Sequence, residues 1–264
     1  MTTAPSAGTP PGKPVTVLAF DTSTASLAAA VVRDGVVLDT VQSFAERNHS
    51  VLIVPEIKRL LADNGLTADG LDAIAVGQGP GSYTGVRIAV SVGKTLAWAW
   101  NKPLLGISSL EALAFGAWGS DSAGRSGLGA GQVWVVPAMD ARRGQVYTAC
   151  FAADGAGGWE RRDADGIRMA GDWADKLRQE AADDGRVVEI LFVGETEPHA
   201  EKFQAEPDGG VPVRTLSYAM EAGALGKLAV ARFRLGERES VHAFVPNYTQ
   251  MTEAEVKLAA ARRD

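Results

Sequence analysis

The sequence predicts an α/β fold in two lobes, and three observations carry that prediction. Short β-branched apolar runs alternate with longer segments of helical period. The first three of those runs follow one another with no helix between them, as hairpin-linked strands do. A stretch with six glycines and three serines, residues 116–131, then divides the chain into two halves that are both mixed α/β. At 264 residues the chain is long enough for one large or two small domains.

Residues 15–21 are a β-branched apolar run ending on Asp21, the pattern of a buried strand. Residues 26–33 form a second strand, Asp34-Gly35 a two-residue hairpin turn, and residues 36–43 the returning strand. A helix follows over residues 49–64, stopped by Asn64-Gly65. Residues 71–77 read as a short strand, and Gly77-Gln-Gly-Pro-Gly-Ser-Tyr-Thr-Gly85 as a tight loop. A long helix over residues 83–100 ends at Asn101-Lys102-Pro103; a strand (104–107) and a helix (109–117) follow. Three antiparallel strands followed by αβαβα is the ribonuclease-H-like order.

In the second half, residues 133–139 and 145–151 are strands joined as a hairpin by residues 140–144. Residues 172–184 form a helix closed by Gly185, residues 187–193 and 213–216 are strands, and residues 219–235 are an Ala-rich helix. Residues 245–248 are extended, and a terminal helix over 252–261 takes Thr252 as N-cap with Glu253 and Glu255 in its first turn. The Pro/Gly/Thr-rich residues 1–14 read as a disordered arm. The lobes are thus expected at 15–115 and 132–250, with the terminal helix packing on the first.

Composition narrows the function classes. Hydrophobic residues at 46% and charged residues at 22% rule out wholesale disorder. The single cysteine, Cys150, forms no internal disulfide and fits a reducing cytosol. Lys+Arg 26 against Asp+Glu 32 lacks the basic excess of a chain that grips nucleic acid alone. No targeting segment is expected in residues 1–14, which lack an apolar core region. The longest apolar stretch, 86–100, carries Arg87 and Lys94 and falls short of the ~20 apolar residues that span a bilayer. Thirty glycines are about 11% of the chain, against a typical ~7%.

Several motifs fall away on inspection. Gly93-Lys94-Thr95 ends like a phosphate-binding P-loop, but Ile88 stands where that motif needs its first glycine. Gly77, Gly79 and Ser82 are one residue short of a dinucleotide fingerprint, and a strand-to-helix turn explains them better. His49, His199 and His242 are far apart and no Cys/His cluster exists, so no metal site is expected. No GxSxG elbow is present. Two carboxylates carry two readings each. Asp21 and Asp140 end the first strands of the two halves, where they either hold metal and water in a cleft or cap turns through neighbouring N–H groups.

Three segments together carry a resemblance. Leu18-Ala-Phe-Asp-Thr-Ser-Thr24, Gly77-Gln-Gly-Pro-Gly-Ser-Tyr-Thr-Gly-Val-Arg-Ile88 and Val136-Pro-Ala-Met-Asp-Ala-Arg-Arg-Gly-Gln-Val-Tyr147, with the ending Val245-Pro-Asn-Tyr-Thr249, resemble the TsaB (YeaZ) family. The resemblance implies a two-lobed actin-like (ASKHA) fold with ribonuclease-H-like lobes. It implies a non-catalytic dimerisation subunit of the bacterial machinery that makes threonylcarbamoyladenosine in tRNA. The partners it implies are a catalytic TsaD-like subunit, a TsaE-like ATPase, a homodimer of the chain when alone, and tRNA only indirectly. No catalytic residue and no cofactor of its own are expected, with ATP or ADP at most weakly bound. Sisters of the TsaD type carry a His-x-x-x-His pair on the first helix; here His49 is followed four residues on by Ile53. Their small second-lobe hairpin is replaced here by Ala141, Arg142 and Arg143, which obstruct a phosphate although two arginines attract anions. A degenerate nucleotide cleft is therefore expected at Asp21, Thr22, Ser82, Asp140, Arg142 and Arg143.

The helices supply the interface expectation. Residues 49–64 and 83–100 carry apolar positions over more than the ~100° stripe one core needs, so one face packs on the sheet and the other on a partner chain. The expected interface residues are His49, Leu52, Ile53, Glu56, Leu60, Tyr83, Arg87 and Val90. Two other functions stay open: an ATP-dependent kinase or ATPase using Asp21 and Asp140, and a protease, for which no nucleophile has a plausible base.

Overall fold

The computed structural model describes residues 12–44, 48–121, 128–204 and 210–249. Among the described residues, ten strands form two five-stranded sheets with the same connectivity. The first contains β1 (Thr16–Asp21), β2 (Leu27–Arg33), β3 (Val36–Ser43), β4 (Ala73–Gly77) and β5 (Leu104–Ile107), in the order β3-β2-β1-β4-β5. The second contains β6 (Gln132–Asp140), β7 (Gln145–Asp154), β8 (Trp159–Met169), β9 (Val187–Gly194) and β10 (Val213–Ser217), in the order β10-β9-β6-β7-β8. In each sheet the first three strands pair antiparallel and the last two add parallel to the first. The helices repeat as well: α1 (His49–Asp63), α2 (Tyr83–Ala99) and α3 (Ser109–Ser120) in the first lobe, α4 (Ala170–Asp183), α5 (Ala200–Gln204) and α6 (Ala222–Arg234) in the second. This is the two-lobed actin-like fold with ribonuclease-H-like lobes.

The lobes share one interior. α3 packs on β6, β7 and β9 of the opposite sheet, while α6 packs on β1 and β2 and against α3. Each lobe's third helix is thus given to the other lobe. α3 (SLEALAFGAWGS) is apolar almost all round, as a helix enclosed on both sides must be. Val17, Ala19 and Val32 of the first sheet join Leu113, Val135, Leu191 and Leu225 in a single core. α1 and α2 lie side by side on the outer face of the first sheet, over Phe20, Leu27, Ile74 and Val76.

Three expectations change. β8 had no counterpart in the sequence reading, because Trp-Glu-Arg-Arg-Asp-Ala-Asp-Gly-Ile-Arg-Met does not alternate apolar with polar. It is an edge strand whose arginines cover aromatic rings: Arg162 lies 3.7 Å from the Trp134 ring centroid and Arg161 4.6 Å from that of Phe151. The helix expected to end at residue 117 runs on to Ser120, into the stretch read as a boundary. The 200–204 helix was also unforeseen. Residues 1–11 of the arm expected at 1–14, and the terminal helix expected at 252–261, lie outside the described residues. Among the described residues, no helix is long and apolar enough to cross a membrane.

Candidate functional site

The glycine-rich loop between β4 and α2 is packed by the chain itself. A Cβ at Gly77 would stand 1.6 Å from Asp21 Oδ2, one at Gly85 1.9 Å from the Thr22 carbonyl, and one at Gly81 2.4 Å from the Ser23 carbonyl. The glycines therefore admit the turn after β1. Loop N–H groups are spent the same way: Gln78 N on Ile107 O (2.9 Å), Gly79 N on Ser109 Oγ (3.0 Å) and Ser82 N on Ser23 O (2.7 Å). Thr22 donates its hydroxyl to Gly85 O at 2.7 Å, and Ser82 caps α2 by accepting from Gly85 N at 3.3 Å. A phosphate would find its cradle occupied and those donors committed.

Asp21 is fully buried. Its Oδ1 accepts from Ser23 N and its Oδ2 from the Ser109 hydroxyl, both at 2.5 Å. Burial raises its pKa; the hydrogen bonds from Ser109 and Ser23 oppose that shift without overcoming it. Asp140 is exposed and caps its own turn: Oδ1 accepts from Arg142 N at 3.2 Å and meets His199 Nε2 at 3.1 Å, while Glu195 accepts from Asp140 N at 2.7 Å. The turn-capping reading of both carboxylates is the one the geometry matches. Arg142 and Arg143 are exposed in the left-handed region, at φ 66° and 54°.

A cavity of about 360 Å³ opens between the lobes. Leu113, Met139 and Met220 floor it, and Thr24, Ser26, Glu195, Thr196, Glu197 and Ser217 rim it. None of the six residues expected to form the nucleotide cleft lines it. The sequence reading missed its walls because they come from segments far apart in the chain. The one local signal is Gly194-Glu195 at the carboxyl end of a strand, where ligands of α/β folds gather.

The expected interface residues divide. Ile53 and Leu60 are wholly buried and Val90 and His49 nearly so, all within their own lobe; Leu52 is partly buried against the same core. Those residues do not form an outward face, which corrects the two-faced reading of α1 and α2. Each helix lies on the sheet and beside the other, so a wide apolar stripe is consumed internally. What remains outward is narrower: Val51 (69% exposed), Val54 (41%), Tyr83 (53%) and Trp98 (70%), with Arg87 against Tyr83. Glu56 is partly buried and paired with Arg59 at 2.7 Å. Arg87 donates to the Tyr83 hydroxyl at 2.9 Å and sits over its ring, 5.1 Å from the centroid; Tyr248 packs against the same ring at 5.5 Å.

Other motif residues have structural posts. Gly93 presses against Val76, and Lys94 donates to the carbonyls of His242 (3.2 Å) and Phe244 (2.8 Å), strapping the last described segment to α2. Cys150 is enclosed, and burial pushes its thiol pKa far up, which makes it a poor nucleophile. Among the described residues, no group of three His, Cys, Asp or Glu side chains is placed to hold a metal.

Against this geometry, comparisons with known proteins are specific. The family model described as TsaD, tRNA N6-adenosine threonylcarbamoyltransferase, matches residues 40–257. The tRNA threonylcarbamoyladenosine biosynthesis protein TsaB of Bacillus subtilis is 34% identical over 248 residues, covering 92% of this chain and 97% of that protein. A crystal structure from Pseudomonas aeruginosa, described as similar to peptidase YeaZ, superposes with a TM-score of 0.72 at 28% identity, covering 89% of this chain and all of the other. The structure named YeaZ from Pseudomonas aeruginosa gives 0.69 at 27% identity, covering 89% and 99%.

Proposed function

We propose a function from the premise that this chain belongs to the TsaB (YeaZ) family. Relatives of that name are tRNA threonylcarbamoyladenosine biosynthesis proteins, and this chain has its role in the same modification. Within it we assign the chain the part of a non-catalytic subunit. It scaffolds and activates a TsaD-like partner, together with a TsaE-like ATPase, and it touches tRNA only through that assembly. On its own it forms a homodimer through the same helices. It carries no cofactor, and ATP or ADP binds weakly at most.

One observation carries the partner reading: Val51, Val54, Tyr83 and Trp98 stand exposed on two helices whose inner faces are already filled. Exposed aromatic and aliphatic residues on well-packed helices are what protein interfaces use as anchors. The non-catalytic reading is supported by the glycine loop, whose phosphate cradle holds the chain's own Thr22 and Ser23. The kinase alternative is weakened by the same contacts, since Asp21 and Asp140 are engaged in turns and neither lines the cleft cavity. Protease chemistry has no support in the enclosed Cys150.

The test is co-expression with the TsaD-like protein of the same genome, followed by gel filtration and a tRNA modification assay. The reading expects a stable complex, modification only when both proteins are present, and no ATP–magnesium binding at micromolar concentration by calorimetry. No complex, or modification by this chain alone, overturns it.

A further inference from the structure

Past α6 the described chain runs from Leu235 to Thr249 with no helix or strand of its own. Separate contacts fasten it to the first lobe. Glu239 N donates to Leu104 O at 2.8 Å, on the edge of β5. Phe244 is buried against Gly106, where a Cβ would stand 2.5 Å from its ring. Lys94 of α2 holds the carbonyls of His242 and Phe244. Asn247 N donates to Gln78 O in the glycine loop at 2.7 Å.

The side chain of Asn247 reaches the other lobe. Its Nδ2 donates to Asp165 Oδ2 on β8 at 3.2 Å. Asp165 pairs with Arg161, and Arg161 shares Glu111 with Arg232. A continuous polar chain therefore runs from this segment to α3 and α6. The next residue, Tyr248, turns to a different task. Its ring packs on that of Tyr83 at 5.5 Å, and the two tyrosines are 51% and 53% exposed. Asn247 thus faces the second lobe while Tyr248 stands against the outward stripe of α2.

We propose that Asn247 is a positioning residue for the protein partner: its bond to Asp165 sets Tyr248 against Tyr83, and through that contact the second lobe bears on partner binding. The inference rests on the partnership proposed above and names what presents one of its aromatic anchors. Without a helix or sheet ladder around it, Tyr248 takes its place from the bonds of its neighbour. An aromatic anchor held in place before the partner arrives loses less conformational freedom on binding.

The experiment uses the full chain with its TsaD-like protein. Asn247→Asp sets a carboxylate against that of Asp165 and should weaken the complex about fivefold; Asn247→Ala should weaken it about threefold. Tyr248→Ala should weaken it about tenfold. Adding Asn247→Asp to Tyr248→Ala should cost less than about twofold more, because the ring that Asn247 positions is already gone. The reversed pair, Asn247→Asp with Asp165→Asn, should recover affinity to within about twofold of the unaltered chain, since an amide at 165 donates back and still accepts from Arg161. Should Asn247→Asp fail to fold by circular dichroism, Asn247→Ala takes its place in the cycle. Complexes of both Asn247 variants as tight as the unaltered one overturn the inference and leave the partnership standing. So does a loss of the same size with and without the Tyr248 ring. If the unaltered chain forms no complex, the partnership itself fails and this inference with it.

Discussion

The Ser109 hydroxyl donates to the Asp21 carboxylate at 2.5 Å and accepts from Gly79 N–H at 3.0 Å, so one side chain joins the end of β1, the glycine loop and the start of α3. In this junction the carboxylate is a structural acceptor, sealed from the space a metal or nucleotide would use. Asp21 has its folded pKa raised above 3.8 by burial. The native state therefore holds the proton more tightly than the unfolded chain does. The resulting stabilisation is complete below about pH 3.8 and is lost as pH rises through the folded value. Asp21→Asn, which cannot ionise, should show no such loss; urea midpoints measured from pH 4 to 8 for both proteins should diverge as pH rises. Parallel curves would mean that Asp21 does not titrate as described.

Gly85→Ala should be costly for a reason of space. The added methyl would sit 1.9 Å from the Thr22 carbonyl, backbone that cannot rotate away. A loss of roughly 3 kcal/mol is expected, the top of the usual overpacking range. Chemical denaturation would measure it, and a loss under about 1 kcal/mol would show that the β1 turn yields more easily than its hydrogen bonds suggest.

Glu111 ties the lobes together. Its carboxylate accepts from Arg161 of β8 at 2.9 Å and Arg232 of α6 at 2.6 Å. Arg161 also pairs with Asp165, which accepts from Asn247 at 3.2 Å. Glu111→Ala leaves two arginines facing each other. Because both are about 30% exposed, the expected loss is roughly 1–3 kcal/mol, below the ~3–5 of a fully buried pair. Thermal unfolding would report it, and Glu111→Gln should recover part.

The interface correction separates two substitutions by mechanism. Ile53→Glu buries a charge in the first-lobe core and should prevent folding, read as lost cooperative unfolding in circular dichroism. Val51→Glu, on a site 69% exposed, should leave the melting curve unchanged and weaken the partner complex about tenfold. An undiminished complex in Val51→Glu would remove α1 from the proposed interface.

Local chemistry was legible where one segment decided its own conformation. Asp34-Gly35 turns at φ 48° and 81°, and Gly65 ends α1 at φ 62°, as hairpin and C-cap residues should. The strands from β1 to β5 came out in the expected order for the same reason. β8 was illegible because its stability lies in Trp134, Phe151 and Glu111, contributed by other elements. The α1 and α2 faces were misread because counting apolar positions around a helix does not tell a sheet from a neighbouring helix as the cover.

The sequence by itself determined the family, the order of elements and the incomplete histidine pair at His49 and Ile53, all of which are written in short contiguous patterns. Only the tertiary structure decided that Thr22 and Ser23 fill the glycine cradle, that α3 and α6 are exchanged between lobes, and that Val51, Val54, Tyr83 and Trp98 remain outward. Those outcomes depend on which distant surfaces meet. Burial is a property of the pair in contact, and no residue carries its partner's identity in its own sequence neighbourhood.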